Sequence, residues 1–213
     1  IKNEDRIQLQ YNLIRSHASG TGKPLNATCV KAAILARLNT LSLGNSGVHS
    51  SVIQLMKELI NRDITPLIFE HGGVGASGDL VQLAHLALVL IGEGEVFYKG
   101  ERRPTQEVND IEKLEPIQVE IREGLALMNG TSVMTGIGVV NVHHANKLLD
   151  WSIKFSCAIN ELVQAYDDHF SEELNNTKRH KGQREVASRM RTNLEDSTLI
   201  RKREDHLYSG ENT

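Results

Sequence analysis

The sequence predicts a mainly α-helical fold with one small β-hairpin. Three observations carry this. Apolar residues recur at i, i+3, i+4 spacing through most of the 213 residues, the mark of helices that bury one face. Glycine and proline gather in short clusters between those runs, at 20–24, 44–47, 72–78 and 92–94, where they stop helices and turn the chain. Alternation of the kind a half-buried strand shows is convincing only from Glu95 to Thr105, which turns at Lys99-Gly100-Glu101 as a surface hairpin.

From Glu4 to Ser16, Ile7, Tyr11 and Ile14 recur at helical spacing until Gly20, Gly22 and Pro24 end the pattern. His17 stands at that end, where the negative pole of the helix dipole favours a histidine. Asn26 or Thr28 caps a second helix whose stripe is Val30, Ile34, Leu38 and Leu41, ending near Gly44. A third begins near His49 or Ser50, carries Val52, Leu55, Met56, Leu59 and Ile60, and has stopped by Pro66. Asp79 with Gln82 three residues on predicts a capping box for a fourth helix, with Leu80, Leu83, Ala84, Ala87, Leu88 and Ile91 along one apolar face. After the hairpin, Pro116 to Ile121 reads as a short extended piece. A helical segment then runs through Leu125 and Met128 to the turn Asn129-Gly130-Thr131.

The longest helical pattern spans Val133 to Phe170, with Val140, Leu148, Trp151, Phe155, Ile159, Leu162 and Tyr166 as its expected buried positions. Gly136 and Gly138 permit close packing or a kink near its start. Glu185 to His206 reads as a polar helix or two.

Composition bounds the function. At 39% hydrophobic the chain is long enough for one sizeable core, so one domain is the default. A net charge of -3 with interspersed acids and bases argues against a nucleic-acid partner and fits a small-molecule enzyme. Cys29 and Cys157 lie far apart without metal spacing, which leaves a structural disulfide open but better suits a reduced, cytosolic protein. His143 and His144 are adjacent, point to different helix faces and make a poor metal pair, and no metal is expected. No signal peptide opens the chain. The longest apolar run, Leu83 to Ile91, is too short to cross a bilayer, so no membrane partner is expected.

The one stretch that proposes chemistry is Gly72-Gly73-Val74-Gly75-Ala76-Ser77-Gly78-Asp79. Gly73, Gly75 and Gly78 satisfy the G-x-G-x-x-G dinucleotide fingerprint, but that motif needs a βαβ unit. Pro66 precedes it where a central strand wants an N–H donor, and no strand–helix alternation follows. Ala76-Ser77-Gly78 supports a second reading, in which the tripeptide cyclises on itself. The Gly78 nitrogen attacks the Ala76 carbonyl, and loss of water from the ring and from the Ser77 hydroxyl leaves a conjugated methylidene. Glycine lacks a Cβ and so allows the approach. Serine supplies the methylene carbon.

Gly75-Ala76-Ser77-Gly78-Asp79-Leu80, with Ala84-His85-Leu86 and Gly92-Glu93-Gly94-Glu95 downstream, resembles the signature of the aromatic amino acid ammonia-lyases. The resemblance extends to Asn12-Leu13-Ile14-Arg15-Ser16-His17-Ala18, to Gly44-Asn45-Ser46-Gly47-Val48 and to Glu123-Gly124-Leu125-Ala126-Leu127-Met128-Asn129-Gly130-Thr131. It implies a prosthetic group, 4-methylidene-imidazole-5-one, made from Ala76-Ser77-Gly78 without an external cofactor. It also implies that Asn129 faces that group and the substrate amine, and that His17 and Leu80 line the pocket of a small aromatic amino acid. The implied reaction is loss of ammonia from L-histidine to give urocanate, or from L-tyrosine to give coumarate; related aminomutases share these motifs. A cytoplasmic homotetramer is implied for the full-length protein.

The same resemblance predicts an incomplete chain. Arg179-His180-Lys181-Gly182-Gln183 resembles the family's Arg-Pro-His-x-Gly-Gln segment without its proline. Family members continue into a long helical bundle and a Tyr-Ser-Leu-Arg segment whose arginine binds the substrate carboxylate, and their catalytic tyrosine lies upstream of the stretch matching Ile1. Residues 1–213 are therefore expected to be the partial N-terminal, prosthetic-group-bearing domain, inactive alone. The rival expectation is a non-catalytic helical scaffold that keeps the turn for structure.

Overall fold

The computed structural model describes residues 3–208. Two compact units divide the chain, one over residues 1–142 and the other over 143–213. In the first, α1 (Asn3–His17) leads through β1 (Thr21–Pro24) to α2 (Ala27–Ser42) and α3 (Ser50–Asn61). β2 (Thr65–Pro66) and β3 (Phe69–His71) precede α4 (Leu80–Leu90), which is followed by β4 (Glu95–Tyr98), β5 (Glu101–Pro104), α5 (Thr105–Glu112) and α6 (Glu123–Met128). The start of α7 (Ser132–Leu162) belongs to this unit and its remainder to the second.

The starts of α2 and α3 follow the capping rules. The Asn26 side chain accepts the Thr28 N–H at 2.8 Å, which decides between the two candidate caps of α2. His49 caps α3 through Nδ1, which accepts the Ser51 N–H at 3.2 Å. Val30, Ile34 and Leu41 of α2 and Val52, Leu55, Met56 and Leu59 of α3 are buried, as their spacing predicts.

The fourth helix differs from its expected one-sided form. Gln82, Leu83, Ala84, His85, Leu86, Ala87, Val89 and Leu90 of α4 are all buried. A helix that is mostly apolar and buried on several faces belongs in the middle of a core. α4 packs against α1, α3, α6 and β2, so the turn that precedes it is joined to a helix held inside the core.

The hairpin forms as predicted, with Val96 opposite Arg103 and Phe97 opposite Arg102. It is joined by a strand the sequence reading passed over: β2 pairs antiparallel with β4, in the order β2-β4-β5. Pro66 is tolerated because β2 lies at the sheet edge. A second small sheet pairs β1 antiparallel with β3. Pro116 to Ile121 is irregular, not a strand.

His85 supplies a link that depends on pH. Its Nε2 accepts the Gly20 N–H at 3.0 Å, holding the loop after α1 to α4, and its ring meets Phe69 edge-on at 5.2 Å. Acceptance requires the neutral ring, and burial pushes the His85 pKa below its ordinary value. The unfolded chain therefore binds the proton more readily than the folded one. The contribution is fully present above about pH 6.5, the unfolded value, and is lost as pH falls from there through the folded pKa. We expect Tm to fall on acidification over that range, and His85→Gln to flatten the fall while costing about 1 kcal/mol at neutral pH. Parallel Tm profiles for the two proteins would contradict the link.

In the second unit α7 gives way at Leu162, earlier than the pattern suggests, to a 3₁₀ turn at Asp167–Phe170. Then follow α8 (Glu172–Asn176), α9 (Lys181–Asn193) and α10 (Arg203–Tyr208). Ile153, Cys157, Phe170, Ala187, Leu194 and Ile200 form its core. The expected buried stripe of α7 is overturned: Leu148 is 72% exposed, Phe155 63% and Leu162 80%, with Trp151 and Ile159 also exposed and Val140 and Tyr166 only half-buried. Ile153 and Cys157 lie two residues on from Trp151 and Phe155, about 200° round the helix, so this unit's core takes the opposite face. Periodicity marks an apolar stripe but not what covers it.

Candidate active site

The glycine turn joins β3 to α4. Because β3 pairs antiparallel with β1, the glycines do not follow the parallel strand of a βαβ unit, and the dinucleotide fingerprint has no fold to serve. The turn instead folds on itself. Gly75 and Ala76 each make an isolated backbone bridge to Gly78, which sets the Gly78 backbone against that of Ala76. Gly78 has φ +82°, and a Cβ placed there would lie 2.2 Å from the Gly130 carbonyl oxygen. Only glycine satisfies both conditions.

What presses on the turn is the α6–α7 connection. Gly78 also bridges to Gly130, and the Asp79 N–H donates to the Gly130 carbonyl at 2.7 Å. The Asp79 carboxylate continues past it, one oxygen accepting the Val133 and Met134 N–H groups at 2.9 Å each. This corrects the expected capping box with Gln82. Asp79 places no side-chain cap on α4 and caps α7 instead, where two orphan N–H groups converge on one charged acceptor.

Asn129 follows α6 directly. Its exposed side chain lines a cleft of about 510 Å³ with Gln10, Leu13, Ser46, Arg122, Leu125 and Ala126. Three separate motif segments, 12–18, 44–48 and 123–131, thus meet in one place. The buried Glu123 braces them: its two carboxylate oxygens accept the His49 N–H at 2.5 Å and the Glu120 N–H at 2.8 Å. The Gly124 N–H donates to the Gln10 side chain at 3.2 Å.

Of the residues predicted from the sequence, Gly78 is brought against Gly130, the neighbour of Asn129, while Ala76 and Ser77 are exposed and the cleft that Asn129 lines includes neither of them. Leu80 opens α4 and packs half-buried against the core. His17 ends α1, its Nδ1–H donating to the Leu13 carbonyl at 2.9 Å. Among the described residues no hydrogen bond joins His17 to Ser77 or Asn129.

Sequence reasoning missed Arg37. It lies on α2 between Ile34 and Leu41, 4% exposed, and its Nη2 donates to the Ala126 carbonyl. Burial pushes the guanidinium below its ordinary pKa, and the nearby Asp79 carboxylate opposes the shift. The signal was present: a cation three residues after Ile34, on the helix's apolar stripe. Glu123 had no such signal, because an acid in a first helical turn is ordinary.

The model of the family described as aromatic amino acid lyase matches residues 1–209. The chain belongs to that family. A histidine ammonia-lyase from Bacillus cytotoxicus is 44% identical over 202 residues, 95% of this chain and 40% of the relative. Among solved structures, a tyrosine aminomutase from Streptomyces globisporus superposes with a TM-score of 0.90 at 34% identity, covering 96% of this chain and 39% of that one. A histidine ammonia-lyase from Trypanosoma cruzi superposes with a TM-score of 0.84 at 32% identity, covering 90% and 37%. This lyase-family chain therefore spans about 40% of the length of the curated relatives it matches, and its helical fold is the fold of the corresponding part of those proteins.

Proposed function

We propose that residues 1–213 carry the prosthetic-group-forming, N-terminal portion of an enzyme that eliminates ammonia non-oxidatively from an aromatic L-amino acid, L-histidine to urocanate in the first place. The observation that carries this reading is the self-bridged turn Gly75–Gly78, pressed against Gly130, the residue after Asn129. Histidine ammonia-lyase relatives at 41–44% identity support histidine as the substrate.

The turn fits 4-methylidene-imidazole-5-one. The Gly78 backbone is already bridged to Ala76, φ at Gly78 is positive, and the exposed Ser77 leaves room for its hydroxyl to depart. Ala76, Ser77 and Gly78 would form and hold the group, which supplies an electrophile that no ordinary side chain provides. The first-turn N–H groups of α4 point back along the helix toward the turn and favour negative charge there. Asn129 offers a neutral amide that holds an amino group without locking it as an ion pair. His17 and Leu80 select the ring, with His17 Nε2 as the polar contact.

A second reading, a tyrosine-using lyase or aminomutase, is favoured by the likeness to the tyrosine aminomutase. The exposed apolar residues of α7, among them Leu148, Phe155 and Leu162, support a homotetramer of the complete protein. Two free cysteines, Cys29 half-buried and Cys157 buried, support a reducing, cytoplasmic setting. No helix among the described residues is long and apolar enough to cross a membrane.

The test is to give the complete gene product L-histidine, L-tyrosine and L-phenylalanine and measure urocanate, coumarate, cinnamate and β-amino acids. Urocanate as the main product is expected, and His17→Phe should shift the product ratio about tenfold or more toward the phenyl substrates with Tm little changed. A collapse in Tm with a fixed ratio would make His17 structural. No turnover of any of the three would overturn the reading.

A further inference from the structure

Arg37 is a buried cation that neither the turn chemistry nor the cleft accounts for. Its Nη2 donates to the Ala126 carbonyl on α6, and its Nε is buried without a hydrogen-bond partner. A Cβ on Gly130 would lie 2.2 Å from Nη1, so the guanidinium rests directly against the Gly130 peptide. Gly130 also meets the turn: its carbonyl accepts the Asp79 N–H, and the Gly78 Cα sits where no Cβ is tolerated. Gly130 is thus in close contact with the guanidinium and with Gly78 at once, and the Asp79 carboxylate lies nearby on the α7 N-terminus. Burying a guanidinium with one donor unpaired is costly, so the arrangement calls for a reason beyond stability.

We infer that Arg37 is the positioning residue for cyclisation of the turn, acting through Gly130 as the wall against which Gly78 is held. This rests on the reading that Ala76-Ser77-Gly78 cyclises. In that reaction a bond forms between the Gly78 nitrogen and the Ala76 carbonyl carbon. The Ala76 oxygen leaves as water with the Gly78 and Ser77 amide hydrogens. A second water takes the Ser77 hydroxyl and the Ser77 Cα proton, and no oxidant is required. Two effects of Arg37 favour the attack. It fixes the Asn129–Gly130 connection to α2 and α6, so the turn cannot relax away from the short approach that ring closure needs. Its charge also offsets the Asp79 carboxylate, which would otherwise oppose negative charge developing on the Ala76 oxygen.

The experiment compares maturation in the complete protein as wild type, Arg37→Lys, Arg37→Met and Ser77→Ala, following intact mass and near-ultraviolet absorbance with time after synthesis, with Tm measured in parallel. Arg37→Met is expected to fold but keep both waters, and Arg37→Lys, which retains charge without the planar fork, to mature slower than wild type by on the order of tenfold. A purely structural role would lower Tm and leave the mass change intact. Should the Met variant fail to fold, Arg37→Lys decides alone: maturation at the wild-type rate overturns the role of Arg37. If the wild type itself loses no water, the cyclisation reading fails, a result separable from failure of Arg37 alone.

Discussion

Ser77→Ala in the complete protein is expected to abolish lyase turnover, a loss on the order of a thousandfold or more, while leaving Tm within about a degree or two of wild type. The asymmetry follows from where Ser77 sits. It is exposed at the crest of the turn, outside the hydrophobic core and absent from the contacts that hold Gly78, Asp79 and Gly130 together. Replacing its hydroxyl by hydrogen deletes the carbon–oxygen bond whose loss would make the proposed methylidene and touches no packing. Assays for ammonia or urocanate beside a thermal melt check it. Turnover near the wild-type rate would place the chemistry elsewhere.

Gly78→Ala is expected to fail in both respects. The left-handed φ costs a non-glycine residue about 1–2 kcal/mol. The new Cβ would need the space of the Gly130 carbonyl, 2.2 Å away, and backbone must move to admit it. That movement breaks the Asp79 N–H bond to Gly130 and loosens the cap that Asp79 provides to α7. A total loss of about 3 kcal/mol is expected in denaturant unfolding, together with absence of the near-ultraviolet band. A variant as stable as wild type would mean that the close approach of Gly78 to the Gly130 carbonyl does not exist in solution.

The two substitutions separate what the sequence announces from what only the fold reveals. Ala76-Ser77-Gly78 is legible because the proposed chemistry is local: three consecutive residues carry the atoms that would react. The helices α2 and α3 are legible for a similar reason, since each buries one face and states it in Val30, Ile34 and Leu41 or in Val52, Leu55 and Leu59. Asp79 was misread because its partners, Val133 and Met134, lie more than fifty residues away, while Gln82 stood at the spacing of a local capping box. α4 conceals its position because a helix buried all round still displays an apolar face, and only its neighbours show that the other faces are covered too. In α7 the opposite happened. A strong stripe through Leu148, Phe155 and Leu162 stays exposed, and two modest residues, Ile153 and Cys157, carry the packing of their unit. Gly130 could not be found as the wall behind Gly78, since Asn-Gly reads as any turn until the fold brings the two segments together.

Intact mass of the purified complete protein, with a near-ultraviolet spectrum of the same sample, tests the central claim most directly. The account predicts a species lighter than its sequence by two waters, the deficit mapping to the peptide that contains Ala76, Ser77 and Gly78, and an absorbance band that Ser77→Ala lacks. A mass equal to that of the unmodified sequence, with no such band in folded protein, would contradict it and leave the turn as a helix-entry structure only.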